Sequence, residues 1–211
     1  MKRSTTKQTA GHGKPLTARG EATRRRILEA AELEFGEKGF HAASVSSITT
    51  RAKVAQGTFY IYFAAKDDCF LALVREVGHE LRHQTGEAMA HSATRLEAER
   101  RGLEAFLRFT ARHPGLYRIV QESQFVDEAV FREYYEKIAE GYVHGLREAA
   151  RRGELSAGDA EVRAWALMGI GHFLGMRYCL WRKRVPDARV LDEVMAFVAH
   201  GLAPAERLGK L

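Results

Sequence analysis

Residues 44–63 decide the fold: Ser44-Val45-Ser46-Ser47-Ile48-Thr49-Thr50-Arg51-Ala52, then Lys53-Val54-Ala55, then Gln56-Gly57-Thr58-Phe59-Tyr60-Ile61-Tyr62-Phe63. Val45, Ile48 and Ala52 recur at steps of three and four, which predicts one face of a short helix. Ser44 stands where an N-cap hydroxyl accepts hydrogen bonds from the free first-turn amides. Lys53-Val54-Ala55 is a three-residue break, after which residues 56–63 resume as a second short helix. Two short helices on a tight turn make a helix-turn-helix. In that motif the second helix enters the DNA major groove while the first crosses the backbone.

The side chains of the second helix divide by role. Phe59 and Phe63 are expected in the core. Gln56, Thr58, Tyr60 and Tyr62 are expected to face DNA, and Gly57 lets the backbone approach closely. Ser44 and Ser46 at the start of the first helix, and Lys66 beyond the second, are expected to clamp phosphates. Phosphate contacts position the protein and base-edge contacts specify sequence. Gln56 is the expected base reader, because its amide can pair with an adenine edge.

Outward from this core, Ile27, Leu28, Ala31 and Phe35 predict a helix over 21–38, with Gly36 and Gly39 as stop signals. Downstream, Lys66-Asp67-Asp68 opens a long helix to about residue 90, its acids favoured at the positive helix end. Further helices are expected at 97–112, 115–123, 128–152, 159–183 and 187–203. No alternating apolar stretch is long enough for a sheet, so the class is all-α with about nine helices. The chain has 211 residues, 45% hydrophobic and 28% charged, and a net charge of +6. Residues 1–66 carry +7 of it and the remainder −1, the footprint of a basic nucleic-acid reader on a near-neutral body.

Two distant cysteines, Cys69 and Cys179, support neither a disulfide framework nor a zinc knuckle, which fits a reducing cytoplasm. Residues 164–181 are the nearest approach to a membrane span. His172 and Arg177 interrupt them, so a buried helix is expected there and no membrane partner.

The motif residues, with Thr23-Arg24-Arg25-Arg26-Ile27-Leu28-Glu29-Ala30-Ala31, Phe35 and Gly39-Phe40 before them and Lys66 after, resemble the tetracycline-repressor (TetR) family. The resemblance covers about 50 of 211 residues. It implies an N-terminal three-helix DNA reader and a C-terminal helical body for ligand binding and dimerisation. By the same likeness DNA contacts fall on Ser44, Gln56, Thr58, Tyr60, Tyr62 and Lys66. The domains are then a disordered basic arm (1–19), the reader (20–66) and the body (67–211). Two positions depart from the family: Lys53 stands where Gly is frequent in the turn, and Ala55 where Ser often caps the recognition helix. Each departure costs about 1 kcal/mol.

For the body, a cavity lined by Phe106, Phe109, Tyr117, Trp165, Met168, His172 and Phe173 is the expected site for a small apolar effector. His113-Pro114-Gly115-Leu116-Tyr117 resembles family members tied to fatty-acyl metabolism. Gly171 and Gly175 form a G-x-x-x-G, a close-packing motif that suits two helices packed within the chain and that the resemblance assigns instead to a homodimer interface. His79-Glu80-x-x-His83 spells a zinc-peptidase signature, but no third ligand lies at a suitable spacing. The pair is read as a surface feature, with no metal, no cofactor and no catalytic residue expected. The expected protein is therefore a homodimeric repressor of a near-palindromic double-stranded DNA operator, released by an effector. The alternatives are an architectural, nucleoid-type DNA binder without an inducer, and the zinc peptidase.

Overall fold

The computed structural model describes residues 17–202. They hold nine α-helices and no strand: α1 (Ala18–Lys38), α2 (Val45–Ala52), α3 (Gln56–Tyr62), α4 (Lys66–Met89), α5 (Arg95–Arg112), α6 (Leu116–Val126), α7 (Glu128–Arg151), α8 (Ala160–Leu174) and α9 (Ala188–Leu202). The all-α expectation is met. Most of the basic arm lies outside the described residues, but its last three do not. Thr17 caps α1 by accepting from the Gly20 N–H at 3.2 Å, so residues 17–19 belong to the helix. Side-chain caps also start α2, α5 and α8, from Ser44, Thr94 and Asp159. Each such cap satisfies amides that have no intrahelical partner.

The expected helix over 159–183 is interrupted. After Leu174 the chain widens into a π-helical segment, Gly175–Trp181. Nor is residues 164–181 a buried helix. Ala164, Gly171, Gly175 and Cys179 point inward, while Trp165, Phe173 and Trp181 are 44%, 64% and 61% exposed. No described helix is long and apolar enough to cross a membrane.

Two compact units divide the chain. The first takes in the described residues to Glu76 together with Gly115–Phe131. Ile27, Ala31 and Phe35 of α1, Ile48 of α2, Phe59 of α3 and Phe70 of α4 are wholly buried in it. Burial of each large apolar side chain is worth roughly 1.5–3 kcal/mol. The rings of Phe35 and Phe70 meet edge-on at 4.9 Å, and Phe40 closes on Phe70 at the same distance. Cys69 is buried beside them, and burial pushes its thiol up to about 12.

This unit is larger than the contiguous reader expected over 20–66, because α6 packs on α1. Gly36 and Gly115 meet backbone to backbone: a Cβ on Gly36 would lie 2.8 Å from the Gly115 Cα. Arg118 donates to the carbonyls of Gly36 and Glu37, at 3.3 and 2.8 Å. Glu122 accepts the Phe40 N–H at 2.5 Å. Gly39, at φ 82°, ends α1 in a conformation that side-chain-bearing residues rarely adopt.

The second unit comprises Val77–Pro114 and the chain from Arg132 onward. Leu107 of α5 is buried with Cys179 and Leu191, and the Cys179 S–H donates to the Leu107 carbonyl at 3.2 Å. A second cluster gathers Leu146 and Ala149 of α7, Ala160 and Ala164 of α8, and Val198 and Leu202 of α9. Arg95 and Glu99 form a buried ion pair along α5, where burial raises the Glu99 carboxyl against the opposing pull of Arg95.

Candidate functional site

The site is assembled from α1 to α3 and the loops between them. Ser44 accepts the Ser47 N–H at 3.1 Å, and the Ser47 hydroxyl answers the Ser44 N–H at 3.2 Å. This capping box fixes the start of α2, with Ser44 and Ser46 both exposed. Lys53 ends α2 in the left-handed region (φ 54°, ψ 47°), as a glycine-like turn position requires. Ala55 precedes α3 with no side-chain cap. Both departures from the common pattern are therefore present in the geometry.

Phe59 and Phe63 take the core positions expected of them. Phe59 is wholly buried and Phe63 nearly so, with their rings 5.5 Å apart. Gln56, Gly57 and Tyr60 are exposed, and Thr58 and Tyr62 half-buried. Around Gly57 the space is open, since an added Cβ meets nothing within 4 Å. Ile61 is exposed as well; sequence reasoning did not place it in the site, because isoleucine ordinarily signals core.

Lys66 occupies a different place from the one expected. Its ammonium donates to the carbonyls of Phe40 at 2.7 Å and Ala43 at 3.0 Å, and lies 4.4 Å from the centre of the Phe40 ring. Three donors are all a lysine has, and His41 offers a longer third acceptor at 3.5 Å. The cation ties α4 to the loop before α2, and its hydrogen bonds are spent inside the protein.

A polar crosslink that the sequence reading missed holds α2 on α1. Glu34 is buried, and accepts from Lys38 at 2.6 Å and from Arg51 at 2.8 Å. Arg51 also forks onto Glu37 at 3.2 and 2.7 Å. Burial pushes the Glu34 carboxyl up, but hydrogen bonds from Lys38, Ser47 and Arg51 outweigh it and hold it below its ordinary value. Glu34 and Lys38 are one helical turn apart, a legible pairing; nothing local marks Arg51 as the third member.

Residues 27–73 match the model of bacterial regulatory proteins of the TetR family. Over those residues the chain is similar to the TetR family. Its fold is shared with the fatty acid degradation regulator FadR from Bacillus halodurans, with a TM-score of 0.76 and 19% identity over 88% of this chain and 96% of that one. The Bacillus subtilis fatty acid metabolism regulator is 27% identical over 136 residues, 63% of this chain and 70% of that protein. A second Bacillus subtilis protein, the HTH-type transcriptional regulator YdgC, is 33% identical over 82 residues. That match spans 42% of YdgC's length and 39% of this chain. All three of these relatives are regulators by name.

The residues expected to line one cavity fall in both compact units. Tyr117 lies buried in the first unit. In the second, Phe109 is wholly buried and stacks on His113 at 4.2 Å. Phe106 packs on the Leu107 cluster, and Met168 is half-buried. Trp165 and His172 do converge, each 6.5 Å from the ring of Tyr135, which the expected lining had omitted. Burial lowers the His172 pKa and raises that of Tyr135, so both rings stay neutral near pH 7. Phe173 touches His172 edge-on but turns outward.

Gly171 and Gly175 are not on an open face either. Both are buried, and a Cβ on Gly171 would meet Leu103 and Phe106 of α5 at 3.7 Å. The close packing is within the chain, as α8 lies directly on α5. The open face of α8 is the opposite one, carrying Val162, Ala166, Gly169 and Phe173 at steps of four, three and four. α9 repeats the same steps with Val190, Val194, Phe197 and Gly201. Between the two helices Ile170, Phe173, Val194 and Phe197 line an open apolar groove of about 380 Å³. His79 and His83 are exposed on α4, and no described group of three or more His, Cys, Asp or Glu side chains could hold a metal.

Proposed function

We propose that the chain is a homodimeric transcriptional repressor that grips a near-palindromic operator with α2 and α3 and releases it when a small apolar effector binds. The exposed face of α3 carries this reading. Gln56 and Tyr60 stand clear of the core on a seven-residue helix that Phe59 and Phe63 pin from behind. Such a helix fits the major groove, with Ser44 and Ser46 at the start of α2 directed to phosphates. A two-fold pair places its two readers about 34–36 Å apart, one turn of DNA.

The apolar stripes of α8 and α9 supply the two-fold contact, four helices packing as a bundle. Exposed apolar patches of this kind commonly mark association surfaces. The effector is of fatty-acyl type. This rests on the likeness to regulators named for fatty acid metabolism and on the run from His113 to Tyr117. Release requires that the effector bind better to a form with poor operator affinity, and DNA must then weaken effector binding by the same factor. α4 begins in the first compact unit and ends in the second, and serves as the lever.

Selection of operator fragments from genomic DNA tests the proposal. A repressor picks a few palindromes over bulk DNA by a factor on the order of 10³ or more, and Gln56→Ala relaxes that preference at one or two base pairs. Equal binding to all fragments points to an architectural protein. A uniform loss from Gln56→Ala, with selectivity intact, removes Gln56 as base reader.

A further inference from the structure

Ile61 is the most exposed large apolar side chain in residues 17–76, at 59%. It is also the feature of α3 that a polar DNA-facing surface leaves unexplained. Gly57 sits one turn before it on the same face, with open space where a side chain would stand. Side chains on a helix lean toward its N-terminus, so the branched Ile61 lies over the turn that Gly57 leaves bare. Gln56 and Tyr60 flank that turn. An isoleucine can neither donate to phosphate oxygens nor pair with the polar edges of bases. The one apolar group that base pairs display in the major groove is the thymine 5-methyl.

We infer that Ile61 is a specificity-determining residue that reads a thymine through its methyl group, with Gly57 giving the base edge room to approach. The inference rests on the proposed reading of α3 as the DNA-recognition helix. Ile61 then selects T·A over the other pairs at one position per half-site, beside the position read by Gln56. Its water-exposed apolar surface is covered only in the complex.

Deoxyuridine scanning tests this with the full-length chain. Each thymine of a selected operator is replaced in turn by deoxyuridine, which removes the methyl and keeps the hydrogen-bonding edge. Loss of one buried methyl is expected to cost about fourfold in affinity at a single thymine per half-site. Ile61→Ala, at an exposed position, is expected to keep its melting temperature. It should bind the thymine operator about as weakly as wild type binds the deoxyuridine one, with no further loss from deoxyuridine. Three results overturn the inference while leaving operator recognition standing: no deoxyuridine position weakens binding, Ile61→Ala retains the full deoxyuridine penalty, or the half-sites contain no required thymine. Failure to select any DNA fragment removes the proposed reading itself, and the inference with it.

Discussion

Lys66, expected at a phosphate, has its ammonium on carbonyls of its own chain. With its ammonium on the carbonyls of Phe40 and Ala43, Lys66→Ala leaves buried acceptors without a donor. The expected result is a loss of stability of about 1–3 kcal/mol, read by thermal or denaturant unfolding, with the salt slope of DNA binding nearly unchanged. A lower salt slope at unaltered stability would return Lys66 to the phosphates. Glu34 makes a second prediction, in pH. Its carboxyl titrates below the ordinary 4.5 in the folded chain. The stability it confers is present above that value, where the unfolded carboxyl is already ionised. As pH falls below 4.5 toward the lower folded pKa, that stability is lost. Unfolding measured from pH 6 to pH 3 should therefore be steeper for wild type than for Glu34→Gln; equal slopes would show that Glu34 is not the group.

Elements were more legible than their partners. Helix spans followed from periodicity and caps, because both are local: Ser44 and Val45, Ile48 and Ala52 were enough for α2, and the buried ranks of Phe59 and Phe63 for α3. What a helix packs on is not local. Gly36 and Gly39 look alike in sequence as stop signals, yet Gly39 ends α1 while Gly36 is a notch inside it, cut for a backbone that arrives 79 residues later at Gly115. The G-x-x-x-G across the end of α8 is likewise readable as a tight contact, but its direction is not; only the placement of α5 turns Gly171 inward. Gly36→Ala tests the notch. In an open helix this change gains up to about 1 kcal/mol. Here the added methyl forces α1 and α6 apart, and a net loss of about 1–3 kcal/mol is expected. Gly57→Ala, with empty space around it, is the contrasting control and should stabilise the free protein.

At the scale of the whole molecule, the apolar stripes of α8 and α9 carry the prediction. Phe173 and Phe197 are 64% and 73% exposed, and a charge on both should keep two copies apart. Sedimentation of Phe173→Glu with Phe197→Glu is expected to give a monomer. Its operator affinity should fall by about 10²-fold or more as the two half-sites cease to be bound together. A dimer that survives both changes places the association surface elsewhere. The pattern behind this prediction is present in the sequence, but the 4-3-4 steps become a face only once the opposite side of each helix is known to be filled.

The two cysteines add something of practical use. The chain has two in all, both buried and unpaired, Cys69 in one compact unit and Cys179 in the other. A thiol shielded from solvent reacts with an alkylating reagent only when its surroundings open. Each unit thus contains a single native clock for its own opening, without any label being introduced. Two labelling rates, followed with and without operator DNA or a fatty-acyl compound, separate a partner that quiets the reader from one that quiets the body.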